Sequence, residues 1–318
     1  MVRLTDPAEL LARAASGDRR ALARLVSLVE DDTPEGAAAL AGVFADTGRA
    51  WTTALTGAPG AGKSTVADRL VTRARMRGDE VAVVAVDPSS PFTGGAILGD
   101  RIRMQDHISD AGVFIRSMAS RGHLGGIAVT TPRVVTLLDG VGFPEVLVET
   151  VGVGQVEVEV AAAVDTTVVV VNPRWGDSIQ AAKAGLLEVG DVFVVNKADR
   201  PGADDSVRDL RQMLELGHPE GWWPPIVTTV ASTGEGIDDL GGAIDDHRAH
   251  LADTGTLAVR RQQRLVAELA SAIDAELRRE VRQVAGDEAW EAARVGVIER
   301  RVDPWTAARG LMAAARPR

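Results

Sequence analysis

Residues 57–64 read Gly57-Ala58-Pro59-Gly60-Ala61-Gly62-Lys63-Ser64, followed by Thr65. Glycines spaced this way let backbone N–H groups converge on phosphate oxygens, because no side chain blocks the approach. Lys63 is placed to meet the β and γ phosphates, and the Ser64 hydroxyl to meet Mg²⁺. A second group, Asn196-Lys197-Ala198-Asp199, follows the apolar run 192–195. There Asp199 can accept hydrogen bonds from guanine N1–H and its exocyclic amine. Adenine lacks that donor pair and would leave a carboxylate unpaired at a cost. Asn196 can hold the loop, and the Lys197 stem can cover the base plane. A third stretch, Val230-Ala231-Ser232, follows the apolar residues 226–229. Backbone N–H groups around Ala231 are expected to meet guanine O6. These three stretches predict a chain that binds GTP and GDP.

Carboxylates also stand at predicted strand ends. Residues 81–86 run into Asp87, and 146–148 run into Glu149, while the glycine-containing loop 94–100 ends in Asp100. Mg²⁺ keeps several waters and takes one or two protein carboxylates, so Asp87, Asp100 and Glu149 are expected to act partly through water. Gly152 can bring its N–H to the γ-phosphate, and Gln155 is a candidate for positioning the attacking water. No residue stands out as a general base.

The elements that must position these groups are legible in outline. Residues 52–56 form a short strand before the phosphate loop. Residues 64–76 form a helix after it, with Val66, Leu70 and Val71 on one side. From about 46 to 250, apolar strands alternate with helices. That pattern predicts an α/β fold of the doubly wound, mainly parallel P-loop type. Residues 1–45 are rich in Ala, Leu and Arg at helical spacing, and Asp6-Pro7 looks like an N-cap and first helical position. They are expected to form an N-terminal helical arm. After Thr254-Gly255 the pattern is wholly helical, and Leu265, Leu269, Ile273 and Leu277 line one side. Asp303-Pro304 starts a last helix. The expected division is therefore 1–45, 46–250 and 251–318. Trp222-Trp223-Pro224-Pro225 reads as a packed loop before a strand.

Composition narrows the functional classes. The chain has 318 residues, 45% of them hydrophobic, and no cysteine, which excludes disulfides, thiolate metal sites and thiol catalysis. A formal charge of −10 disfavours nucleic acid and anionic membranes as partners. No run of about 18 apolar residues occurs. The acidic start at Asp6 and Glu9 is unlike an Arg-rich presequence, so the cytoplasm is the expected compartment.

Taken together, residues 56–65, 85–90, 93–103, 124–126, 149–155, 176–183 and 196–199 resemble the methylmalonyl-CoA mutase-associated GTPases, the MeaB/ArgK family. The runs Asp-Pro-Ser-Ser, Gly-Ala-Ile-Leu-Gly-Asp and Glu-Thr-Val-Gly-Val-Gly-Gln carry most of that specificity. The resemblance implies a homodimeric GTPase that escorts an adenosylcobalamin-dependent acyl-CoA mutase, gates its cofactor loading and protects it from inactivation. It also implies that Lys63, Asp87, Asp100 and Glu149 are the phosphate and metal set. Asp177 and Lys183 would belong to a switch loop that responds to the mutase, and the C-terminal helices would form the dimer interface. This chain departs from many relatives in carrying Arg174-Trp175 just before that loop. Two rival readings stay open: a small-molecule kinase linked to basic amino-acid transport, and a non-hydrolysing guanine-nucleotide switch with another partner.

Overall fold

The computed structural model describes residues 6–87, 104–107, 109–119, 126–150, 160, 163–173, 189–217 and 221–315. Contacts divide the chain into two compact units, Met1–Arg261 and Gln262–Arg318. The helices of the first 45 residues belong to the same unit as the sheet.

Among the described residues, seven strands form the sheet of the first unit: β1 (Trp51–Thr56), β2 (Val81–Asp87), β3 (Val113–Ala119), β4 (Glu145–Thr150), β5 (Thr166–Val171), β6 (Val192–Asn196) and β7 (Ile226–Thr229). Their order is β3-β2-β4-β1-β5-β6-β7, and every pairing is parallel. Buried on both faces, the strands are Val-rich runs rather than polar–apolar alternations. The alternation sorts them between two covering layers instead. Ala82, Val84 and Val86 pack in one core and Val81 and Val83 in the opposite one. Val168 and Val170 likewise face one layer, and Val169 and Val171 the other. This is the doubly wound architecture expected from the alternation of strands and helices.

One layer is built from α1 (Pro7–Ala15), α2 (Arg19–Glu30), α3 (Pro34–Val43) and α5 (Gly126–Gly140), with Leu22, Leu25, Val29, Leu137 and Leu138 in a shared core. The Asp6 side chain accepts the Ala8 N–H at 3.1 Å and Pro7 opens α1, as the sequence suggests. Two ion pairs tie α2 and the turn after it to the body: Arg116 to Glu30, and Arg133 to Asp32 at 2.6 Å. Helices α4 (Lys63–Met76) and α7 (Ile237–Asp253) cover the opposite face. Helix α6 (Ala203–Gly217) buries Leu210 and Leu214 against Phe193 and Val195.

Helix α8 (Thr256–Ile298) begins in the first unit and supplies much of the second. Gly286, at φ 78° and ψ 160°, breaks it with a backbone conformation open mainly to glycine. The last helix, α9 (Pro304–Ala315), starts where Thr306 N donates to Asp303 Oδ1 at 2.9 Å. Leu265, Leu269, Ile273 and Leu277 are all about half exposed on α8.

Candidate functional site

The phosphate loop joins central β1 to α4, at the sheet edge where ligands bind in open α/β folds. Two of its glycines are demanded by close approach. A Cβ on Gly57 (φ +128°) would stand 2.0 Å from the Val170 carbonyl oxygen of β5, and one on Gly62 (φ +97°) 2.3 Å from Asn196 Nδ2. Gly62 is also the left-handed N-cap of α4, so the helix opens with Lys63 and Ser64 in its first turn. Both side chains are buried, at 6% and 5% exposure. The Lys63 ammonium donates to Gly57 O at 2.6 Å and Ala58 O at 3.1 Å, so it lies folded over its own loop.

Ser64 Oγ donates to Glu149 Oε1 at 2.5 Å. The register explains this meeting. Glu149 pairs with Leu55 of β1 on one side and with Ala85 of β2 on the other, one residue short of the end of β4. Asp87 closes β2 on the same edge. Glu149, the end of β2 and the phosphate loop therefore belong to adjacent strand ends. Asp100, Gly152, Gln155, Asp177 and Lys183 lie outside the described residues, as do Arg174 and Trp175.

Across the loop lie the groups that the sequence assigns to the base. Asn196 is the last residue of β6 and is buried. Its amide donates to Ala61 O at 2.8 Å, and its Oδ1 accepts from Thr229 Oγ1 and from Ala231 N, each at 3.1 Å. One side chain thus ties the phosphate loop to β7 and to the turn beyond it. Lys197 holds a left-handed backbone (φ 61°), and its ammonium donates to Gly60 O at 2.7 Å. Asp199 is exposed at the mouth of a cavity of about 170 Å³ that Gly62, Thr65, Asn196, Val230 and Ser232 also line. Residues 230–236 form a compact turn: Val230 and Glu235 bridge, and the Thr233 and Gly234 amides both reach Val230 O.

Sequence reasoning missed Arg69. It lies on α4, and its guanidinium donates to the carbonyls of Ala231 and Ser232 at 2.9 and 3.0 Å. Its partners are more than 160 residues away, and no local pattern announces them.

A second polar cluster occupies the opposite edge of the sheet, where β1, β5 and β6 begin. Asp165 and Asp191 are buried there, at 1% and 6% exposure. Arg261 makes two bonds to Asp165, at 3.0 and 2.7 Å, and Arg260 two to Asp191, at 3.1 and 2.7 Å. Both arginines belong to the first turns of α8. His247 is fully buried between Thr166 Oγ1 (2.9 Å) and Asp191 Oδ1 (3.3 Å), under the Trp222 ring. Burial pushes its pKa down to about 4, with Asp191 opposing that shift and Arg260 adding to it. Trp222 donates to Asp191 O at 2.8 Å, while Trp223 is half exposed.

Comparison with known proteins gives these contacts a family. The model described as "Methylmalonyl Co-A mutase-associated GTPase MeaB" matches residues 22–285. A Pyrococcus horikoshii protein named as a GTPase is 45% identical over 304 residues, covering 94% of this chain and 95% of its own length. GTPase ArgK of Escherichia coli K12 is 38% identical over 276 residues, 84% of this chain and 83% of its own. A crystal structure of a LAO/AO transport system kinase superposes over 98% of each chain, with a TM-score of 0.69 at 28% identity. The resemblance read from motifs extends over most of the sequence, and the chain belongs to the MeaB family of P-loop GTPases.

Proposed function

We propose that this GTPase acts as a nucleotide-gated chaperone for an adenosylcobalamin-dependent acyl-CoA mutase, controlling cofactor loading and guarding the mutase from inactivation. Family membership carries this reading, because the family's description associates it with methylmalonyl-CoA mutase. A mouse relative, 36% identical over 65% of this chain and 51% of its own, bears the name methylmalonic aciduria type A homolog, mitochondrial. The kinase reading keeps second place through the name of the superposable crystal structure. The cavity beside the phosphate loop is lined by the residues assigned here to the base, and the sequence carries no motif for an acceptor pocket beside them.

Hydrolysis is in-line attack of water on the γ-phosphorus, with GDP leaving. The chain's part is positioning and charge. Lys63, now held by two loop carbonyls, would exchange them for β and γ phosphate oxygens, aided by the loop amides and the α4 N-terminus. Ser64 Oγ and Glu149 Oε1 form a buried all-oxygen pair that suits a hard cation such as Mg²⁺. Ser64 would hold the ion directly, with Glu149, Asp87 and Asp100 acting in part through its waters. Bound there, the ion supplies charge neutralisation on the phosphates. On the base side, Asp199 reads N1–H and the amine, the turn around Ala231 reads O6, and Lys197 covers the ring. Gln155 is the proposed water-positioning residue, and Asp177 and Lys183 the partner-responsive pair.

The half-exposed stripe on α8 suits a second copy of the chain, so the proposed state is a homodimer joined through residues after about 255. No helix among the described residues is long and apolar enough to cross a membrane, and the proposed compartment is the cytoplasm.

The test is phosphate release from GTP with and without the mutase of the same cell. A pull-down from native extract with GDP, then with a non-hydrolysable GTP analogue, should accompany it. Stimulation together with a nucleotide-dependent complex is expected. Absence of both would leave a GTPase without the chaperone role.

A further inference from the structure

Arg69 stands one turn beyond Thr65 on α4, and Arg73 one turn further on. Arg73 reaches Asp245 of α7 at 2.9 Å, and its guanidinium occupies the space a side chain at Gly241 would need. This face of the phosphate-loop helix is thus riveted to the element that follows the 230–236 turn. Arg69 acts on the turn itself. Its Nε and Nη2 hold two successive carbonyls, Ala231 O at 2.9 Å and Ser232 O at 3.0 Å. A peptide unit is planar and trans, so its C=O and N–H point in opposite directions. Fixing Ala231 O therefore fixes the direction of the Ser232 N–H. The Ala231 N–H is already directed at Asn196 Oδ1, and the Thr233 N–H is bonded to Val230 O. Ser232 is the next donor along the turn, and it lines the same cavity as Asp199 and Thr65.

We infer that Arg69 is a specificity-positioning residue, which aims the Ser232 amide at the six-position oxygen of guanine by clamping the carbonyl of that peptide and the carbonyl of the next. The inference rests on the assignment of this cavity to the base. A planar guanidinium fork suits the task, since it spans two acceptors in a fixed geometry and loses less freedom per hydrogen bond than a flexible ammonium. The arrangement also links base to phosphate, because Arg69 and Lys63 are carried by one helix. A base that fits the clamped turn is thereby placed in register with the phosphate loop.

The test measures affinity for GDP, 6-thio-GDP and ADP by calorimetry on the full chain, unsubstituted and as Arg69→Gln and Arg69→Lys. Sulfur at position six is a weaker acceptor than oxygen, so the unsubstituted chain should prefer GDP to 6-thio-GDP. Arg69→Gln should weaken GDP about tenfold or more, the scale of losing charge-assisted bonds. It should weaken 6-thio-GDP less, so that the preference narrows. Arg69→Lys, able to keep one of the two bonds, should fall between and provides the readout if the glutamine variant does not fold. Loss of GDP and 6-thio-GDP affinity by the same factor would mean that Arg69 only supports the fold, and would overturn the inference. So would an unsubstituted chain that does not distinguish the two. Equal affinity for GDP and ADP in the unsubstituted chain would instead overturn the base assignment itself.

Discussion

Asn196 donates to the Ala61 carbonyl at 2.8 Å, across 135 residues of sequence, and so binds the end of β6 to the phosphate loop. The same side chain accepts from Thr229 and Ala231 through its other atom. Replacing it with alanine removes three hydrogen bonds inside the protein, each worth about 1 kcal/mol net. Asn196→Ala should therefore lower unfolding free energy by about 2–4 kcal/mol and weaken GDP as well. Asp199 is exposed, so Asp199→Asn should leave the thermal midpoint nearly unchanged while shifting preference from guanine to xanthine nucleotides. Urea unfolding with calorimetry separates the two. A chain with Asn196→Ala that keeps its stability would contradict the tethering role.

Ser64 and Glu149 touch at 2.5 Å on neighbouring elements. Ser64→Ala and Glu149→Ala should each reduce GTP hydrolysis by at least about a hundredfold, the scale of losing preorganised transition-state charge. Their effect on GDP affinity should be much smaller, since the ion matters most when the γ-phosphate is present. Steady-state phosphate release over a Mg²⁺ titration, beside GDP calorimetry, checks this. Normal hydrolysis in both variants would remove the pair from the metal site.

Buried His247 and partly buried Glu145 should give stability a pH dependence of opposite sign. His247 is held at about 4 against 6.5 in the unfolded chain, chiefly by burial. Between those values the unfolded state binds the extra proton, so this contribution to stability is present above 6.5 and is lost as pH falls towards 4. Two to three pKa steps make it worth up to about 3 kcal/mol. Glu145, raised to about 7 by burial despite Arg248 and Arg77 nearby, works the other way. Its folded form keeps a proton between 4.5 and 7, so its contribution is present below 4.5 and is lost as pH rises to 7. In urea titrations at a series of pH values, His247→Gln should flatten the acid limb, and Glu145→Gln should steepen it. Unchanged slopes in both variants would show that neither group titrates abnormally.

The difference between what was legible and what was not follows from distance along the chain. Residues 57–64 and 196–199 read as a phosphate turn and a base loop within a few positions, and the short apolar runs before them predict the strands that present them. The doubly wound class followed from the alternation of such strands with helices, whereas the strand order came only with the fold. Arg69, Asp165, Asp191, His247, Arg260 and Arg261 carried no such local signal. Arg69 is an ordinary charged residue in a helix until the fold brings Ala231 beside it. Asp165 and Asp191 stand just before strands, where nothing in the local pattern announces burial, yet both are buried. The apolar stripe on α8 was visible because it repeats every four residues. What satisfies the buried acids near that helix's start was invisible, because the pairing spans 69 and 96 positions.

That pairing decides where the C-terminal helices can be removed. The stripe at Leu265, Leu269, Ile273 and Leu277 begins just after Arg261, where the first compact unit ends. A chain ending at His250 would lose Arg260 and Arg261 together with the stripe. Asp165 and Asp191 would then keep their buried carboxylates without the guanidinium partners, a loss that costs about 3–5 kcal/mol for a buried pair broken on one side. Leu257, which packs against the core under α4 and α7, would be lost as well. A chain ending at Gln263 keeps both arginines and Leu257 but discards the stripe. The shorter chain should therefore be poorly soluble or unfolded. The longer one should fold, bind GDP and run as a monomer. Arg261→Ala in the full chain should reproduce the stability loss without changing the oligomeric state. Light scattering and urea unfolding of the three, beside the full chain, distinguish the two effects. A full chain that is itself monomeric would remove the stripe's role, and a stable chain ending at His250 would remove that of the arginines.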